Sequence, residues 1–305
     1  MTDRLLPVSP AHRAASAGSY RSRPRRSRPT TAVACLAVTL GVLALTLAGC
    51  SLPTPTSRAT WNAARVPPDD APDSQPSASP QPPDPTGIPL PADLLARLPH
   101  FPPAPRAQPV VVPAGLVAGW FPSIPTAQPV AFLTIDDGWV KDPRAVQLLR
   151  AAHIPVTLFL SINAIRDNPA YFSQLQAAGA TIEAHTVTHQ NLKGKPYGVQ
   201  NAEVCGSANQ LATLYGSRPV LFRPPYGDKD YTTLRVVHDC GMKAAFYWKE
   251  TVNGGVVRYQ TGHQIQAGDI ILMHFRPTFV ADFMAALQAI QAAGLTPARL
   301  EDYIS

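Results

Sequence analysis

Residues 129–139 read PVAFLTIDDGW. PVAFLTI is an apolar run ending in a β-branched residue, the pattern of a strand buried on both faces. Two carboxylates, Asp136 and Asp137, then stand side by side before a glycine. Asp and Gly are ordinary turn residues, so the stretch alone fits a simple turn. It also fits a strand that delivers two acids to one place, and the rest of the chain has to decide between these readings.

From about residue 110, apolar runs of strand length recur: PVAFLTI, PVTLFLSI, ATIEA, PVLFR, MKAAFYW and GDIILMHF. Helix-like segments separate most of them: DPRAVQLLRAAH, NPAYFSQLQAAG, NAEVCGSANQLATLYG, YTTLRVVHDCG and TFVADFMAALQAIQAAG. Several end in Gly, a helix C-terminal signal. Strand–helix alternation over nearly 200 residues predicts an α/β fold with a parallel sheet. Closed, that sheet is a barrel; open, it is doubly wound. Either way, functional residues gather at the carboxyl ends of the strands.

That rule picks out a constellation. The first strand ends in Asp136-Asp137. ATIEA runs into His185-Thr-Val-Thr-His189, whose i, i+4 spacing puts both imidazoles on one face of a helical turn, close enough to share one ion. PVLFR leads into Arg223-Pro-Pro-Tyr-Gly, and GDIILMHF ends its strand at His274. Taken singly, Arg223 reads as a surface charge and His274 as a core histidine. Together, two acids, three histidines and an arginine converge on one rim.

TIDDG, HTVTH, RPPYG and LMH resemble, in order and spacing, four motifs of the polysaccharide deacetylase family, carbohydrate esterase family four. The resemblance covers about 130–305 and implies a distorted (β/α) barrel of about seven parallel strands. It also implies an enzyme that removes N-acetyl groups from cell-wall or chitin-like glycans. By the same resemblance Asp137, His185 and His189 bind one divalent metal, expected to be Zn²⁺, with Co²⁺ and Ni²⁺ also compatible. Asp136 is then the general base, Arg223 orients it, the Tyr226 backbone N–H faces the oxyanion, and His274 is the general acid. Trp248 and Pro225 are expected to meet substrate. One motif departs from the family. After Trp248 the family places an Asp, then an Asp-Trp pair; this chain has Thr251 and Gly254-Gly255. Glu250 is the expected replacement partner for His274, because strand alternation puts it on the face of Trp248. The departure leaves O-acetyl esterase activity, or a catalytically poor glycan-binding role, as alternatives.

The net charge of the 305 residues is +6, but it is local. Residues 1–49 hold seven Arg and one acid, leaving 19 basic and 19 acidic residues beyond them. Nothing in that balance points to nucleic acid. The basic segment precedes an apolar run that ends in Leu47-Ala48-Gly49-Cys50. A positive segment, an apolar segment and a small-residue exit make an export signal, and LAGC resembles a bacterial lipoprotein signal with Cys50 as the lipidated residue. Residues 50–110 read as a tether, since 51–110 hold 17 of the 34 prolines, and such a segment is partly extended polyproline. Residues 111–305 form the deacetylase domain. The expected protein is thus exported, lipid-anchored at the outer face of the cytoplasmic membrane or in the cell wall, and a monomer. Outside the cytoplasm, Cys205 and Cys240 are expected to pair. Cys50→Ala is expected to abolish incorporation of radiolabelled palmitate; unchanged labelling would refute the lipid anchor.

Overall fold

The computed structural model describes residues 89–305 apart from Pro113. The export signal, Cys50 and most of the tether lie outside the described residues. Among the described residues, no helix is long and apolar enough to cross a membrane.

Ten strands follow in chain order: β1 (Gly119–Phe121), β2 (Val130–Asp137), β3 (Val156–Leu160), β4 (Ala180–Ala184), β5 (Leu221–Phe222), β6 (Ala244–Phe246), β7 (Glu250–Asn253), β8 (Val256–Tyr259), β9 (Ile270–His274) and β10 (Thr296–Pro297). They form one sheet in the order β1-β6-β5-β4-β3-β2-β9-β7-β8, with β10 added beside β2. Every pairing is parallel except the β7–β8 hairpin. The sheet is strongly curled into a half-barrel, the distorted barrel expected from the alternation and the resemblance. The six sequence-predicted strands are β2, β3, β4, β5, β6 and β9. β1, β10 and the hairpin were not foreseen, because strands this short carry too little periodicity to register.

Seven helices accompany the sheet: α1 (Ala92–Ala96), α2 (Arg144–Ala152), α3 (Ile162–Ile165), α4 (Pro169–Ala177), α5 (Tyr197–Tyr215), α6 (Tyr231–Asp239) and α7 (Phe279–Ala292). Local chemistry sets several ends. Asn168 caps α4, Asp230 and Thr233 form a capping box on α6, and left-handed Gly216 closes α5.

The core has two layers. Val130, Phe132, Phe159, Leu221, Phe246 and Ile270 pack together inside the curl. Leu133, Ile135, Leu158, Leu160, Phe283 and Leu287 belong to the layer between sheet and helices. Alternate residues of β2 therefore serve opposite layers, as a pleated strand requires. Burial on both faces is what made these strands read as unbroken apolar runs.

The domain begins earlier than residue 111. Leu90, Leu94 and Leu98 are buried in the outer core. The Gln128 side chain donates to the Arg106 carbonyl at 2.9 Å, and Val110 bridges to Ile304 in parallel fashion. Proline density hid these anchoring leucines, since a few apolar residues between prolines give no regular period.

Cys205 of α5 and Cys240, just past α6, are disulfide-bonded with Cα atoms 5.3 Å apart. The two helices also meet through Tyr197 Oη, which donates to Asp239 at 2.8 Å, and Thr233 Oγ1, which donates to Gln200 at 2.7 Å. The bridge spans 35 residues, and closing a loop of that length in the unfolded chain stabilises the fold by about 3–4 kcal/mol. Replacing both cysteines with Ser is expected to lower stability by that order, read from urea unfolding of the full chain.

Candidate active site

β2 carries Val130, Phe132, Thr134 and Asp136 on alternate positions, so Asp136 continues the inward-facing row. By the same alternation Asp137 would point the other way. It does not, because its φ of 76° is left-handed. That turn of the backbone brings both carboxylates to one cleft of about 510 Å³, lined also by His185, His189, Tyr226, Trp248, Thr251 and His274. Asp tolerates the left-handed region better than most residues.

The register supplies the remaining groups. Asp136 stands beside His274 of β9 on one side and Phe159 of β3 on the other. His185 follows β4, and Arg223 follows β5, whose Phe222 pairs with Ala184. Hydrogen bonding runs on past the strand ends: His185 N donates to Leu160 O at 3.1 Å and Arg223 N to Ala184 O at 3.0 Å.

Arg223 is wholly buried. Its Nη1 donates to Asp136 Oδ1 at 2.7 Å and to Thr134 Oγ1 at 2.8 Å, and its Nη2 donates to the Tyr247 carbonyl at 3.1 Å. Thr134 Oγ1 in turn donates to Ile271 O at 2.7 Å. The guanidinium lies 4.4 Å from the Phe159 ring centroid. Asp136 is therefore held in one orientation by a charge-assisted bond away from water.

His185 Nδ1 lies 2.6 Å from the Arg223 carbonyl oxygen. A carbonyl only accepts, so Nδ1 carries the proton and Nε2 presents a lone pair. That Nε2 is 3.4 Å from Asp137 Oδ1, and His189 Nε2 is 3.1 Å from the same oxygen. Asp137 Oδ1 is buried without a hydrogen-bond partner. Burial by itself would raise the Asp137 pKa, but His185 and His189 prevail and hold it well below the usual carboxylate range. The ligand atoms of Asp137, His185 and His189 all lie within 4.8 Å of one another. A fixed tautomer, an unpartnered oxygen and an N,N,O donor set fit a divalent cation with open positions.

The two imidazoles do not meet on a helical turn. Residues 185–190 form an irregular loop in which Thr186 and His189 are left-handed, with φ of 73° and 60°. Glu203 of α5 holds this loop. Its Oε2 accepts from Val187 N at 3.0 Å and Thr188 N at 2.8 Å, while Oε1 accepts from Thr188 Oγ1 at 2.9 Å and Gln190 Nε2 at 2.7 Å. Nothing in the sequence marked Glu203, which sits 14 residues beyond His189 on a different element.

Among the described residues, five non-glycines have positive φ: Asp137, His153, Thr186, His189 and Tyr226. His153 ends a helix; the other four belong to this rim. Such strain persists where surrounding contacts over-determine the backbone, and it clusters at functional sites.

A family model described as polysaccharide deacetylase matches residues 123–245. An uncharacterized protein of Streptomyces coelicolor is 39% identical over 187 residues, covering 59% of this chain and 74% of its own length. The chain belongs to the polysaccharide deacetylase family. Two solved structures share the fold: the Bc1960 peptidoglycan N-acetylglucosamine deacetylase, with TM-score 0.53, 20% identity and coverage of 61% of this chain and 92% of that one, and a family-four pseudoenzyme of Bacillus anthracis, with TM-score 0.52, 16% identity and coverage of 59% and 66%. Members of one fold thus include an enzyme and a pseudoenzyme, so activity has to be argued from the residues.

Among the deacetylase residues expected from sequence, Asp136, Asp137, His185, His189, Tyr226, Trp248 and His274 line the cleft, with Arg223 beneath it. Trp248 stacks on Tyr247 with ring centroids 4.0 Å apart. Tyr247 in turn packs so closely on Gly227, at φ 69°, that a Cβ there would collide with its ring. Pro225 is a correction: it starts the short turn that carries Tyr226 and is buried under it rather than lining the cleft.

Glu250 is a second correction. The extended chain stops at Phe246 and bends at Lys249 before β7 begins, so alternation does not carry from Trp248 to Glu250. Glu250 is buried against Asp269, away from His274, and burial together with that neighbouring carboxylate pushes it up to about 8. His274 goes the other way. Burial lowers its pKa, outweighing the attraction of Asp136 and Asp137, and Arg276 pushes in the same direction.

These shifts give a test with a definite sign. A carboxyl whose folded pKa lies above its model value of 4.5 binds a proton more tightly in the native state, so its contribution is lost as pH rises through about 8. The melting temperature is expected to fall between pH 5 and pH 8, and to fall less in Glu250→Gln. In the same variant the alkaline limb of the pH–rate profile should stay in place; a shift to lower pH would restore Glu250 as the partner of His274.

Proposed function

We propose that this chain is a metal-dependent deacetylase that removes N-acetyl groups from cell-wall or chitin-like glycans, exported and tethered to the membrane through Cys50. The observation that carries the reading is the convergence of Asp136, Asp137, His185, His189 and His274 on one cleft, with Arg223 bonded to Asp136 beneath it. A scaffold that only bound glycan would need neither a base nor an acid at the metal ligands.

Asp137, His185 and His189 would hold the cation, Zn²⁺ by ligand type. When bound, such an ion lowers the pKa of a water and polarises the acetyl carbonyl. Asp136 has one oxygen engaged by Arg223; the other, Oδ2, lies 3.8 Å from His185 Nε2 and faces the ligand group. Oδ2 takes the proton of the attacking water, as a positioned general base does. The Tyr226 backbone N–H supports the oxyanion in this scheme. His274, across the sheet from Asp136, gives its proton to the leaving nitrogen as the C–N bond breaks, releasing acetate and a free amine.

One observation favours a second reading, an O-acetyl esterase. His274 has no dedicated carboxylate partner, and its pKa is lowered. Expelling an amine requires that proton far more than expelling an alcohol does.

Acetate release from N-acetylglucosamine oligomers, peptidoglycan and acetylxylan separates these readings. Activity on the first two supports N-deacetylation, activity on acetylxylan alone supports the esterase, and none on any leaves a glycan-binding role. Asp136→Asn is expected to lower kcat by about 10²–10⁴-fold without lowering bound metal. His185→Ala and His189→Ala should each lose the metal, measured by elemental analysis of the purified protein; full retention in both would refute the metal site.

A further inference from the structure

Besides buried Arg223, two arginines belong to the cleft wall: Arg258 of β8 and Arg276, two residues beyond His274. Among the described residues, neither forms an ion pair. Arg258 makes one hydrogen bond, from Nη1 to the Asn253 carbonyl at 3.2 Å. The carboxylates of the cleft are already engaged, Asp136 by Arg223 and Asp137 by the two histidines. The remaining polar side chains there, Thr251 and Asn253, are neutral.

Arg258 reaches the cleft through a dedicated device. Gly254 and Gly255, with φ of 65° and 72°, make the two-residue turn that folds β8 back on β7. This hairpin places Arg258 opposite Thr251, and cross-strand partners share a face of the sheet. The turn is pinned to α7: Gly255 N donates to Asp282 Oδ1 at 2.7 Å, and Thr278 Oγ1 donates to Asp282 Oδ2 at 2.8 Å. The segment that departs from the family motif therefore replaces a carboxylate near His274 with a guanidinium. Two guanidinium groups facing one cleft with no carboxylate between them repel, and a bound anion relieves that repulsion through charge-assisted bonds.

Resting on the deacetylase reading, we propose that the substrate is an acidic glycan, and that Arg258 and Arg276 receive a carboxylate borne close to the acetylated sugar. A neutral chitin-like chain would leave both charges unanswered. The carboxylate could belong to a lactyl ether, as in muramic acid, or to a uronate, and the probes distinguish them.

The test measures binding and acetate release by the full chain with two acidic probes, an N-acetylglucosamine–N-acetylmuramic acid tetrasaccharide and an acetylated glucuronoxylan oligomer, each against its own methyl ester. At least one acid should bind about tenfold or more tightly than its ester, and its identity names the source. The preference should shrink as salt is raised, fall towards unity in Arg258→Gln/Arg276→Gln, and be partly kept in Arg258→Lys/Arg276→Lys. Equal binding of acid and ester by the unmodified protein overturns the proposal, as does a preference that survives the Gln double variant. Should the Gln variant fail to fold, the Lys variant and the salt series still decide. An intact preference without acetate release from any probe would remove the deacetylase reading and leave the anion site standing.

Discussion

Two carboxylates on consecutive residues, at the end of a strand buried on both faces, have to be neutralised separately. Asp136 is answered from below by Arg223, itself without solvent contact and bound to Thr134 and the Tyr247 carbonyl. Asp137 is answered from the side by His185 and His189. A buried ion pair gains little net stability because both partners lose their water, while removal of one partner leaves a stranded charge. The Asp136–Arg223 pair is therefore better understood as an orienting device than as a source of stability. It fixes which oxygen of Asp136 is free, and the Arg223 carbonyl fixes which nitrogen of His185 carries a proton. One residue thus sets the geometry of both the base and a ligand.

The same economy explains the backbone. Pleated alternation cannot bring two consecutive side chains to one face, so Asp137 leaves the strand in the left-handed region. The HTVTH loop likewise uses two left-handed residues, and Glu203 gathers two of its backbone amides and two of its side chains. Glu203 acts at a distance from the chemistry, by holding the frame in which His185 and His189 face Asp137.

The fourth motif is where this chain parts from its family. Gly254-Gly255 replace a carboxylate-bearing segment with a pinned hairpin, and the electrostatics of the cleft change sign locally. His274 loses a supporting anion and gains Arg276 as a neighbour. A site arranged this way trades readiness to protonate a leaving group for attraction of a negatively charged chain, which connects the weakened acid and the unpaired arginines as two effects of one replacement.

The sequence by itself determined the alternating α/β order, the six principal strands and the strand-end motifs, because burial on both faces writes long apolar runs and parallel strands put their carboxyl ends on one rim. It also marked Asp136, Asp137, His185, His189, Arg223 and His274. It placed the two histidines on a helical turn, Glu250 beside His274 and Pro225 against substrate, and in each case a rule of local periodicity was extended through residues that do not obey it. Only the tertiary structure decided the left-handed turn at Asp137, the grip of Glu203, the burial of Leu90, Leu94 and Leu98, and the hairpin that carries Arg258 into the cleft. The physical reason is the same throughout. These features arise between residues distant in sequence, where pairing register, charge compensation and packing act and local pattern is silent.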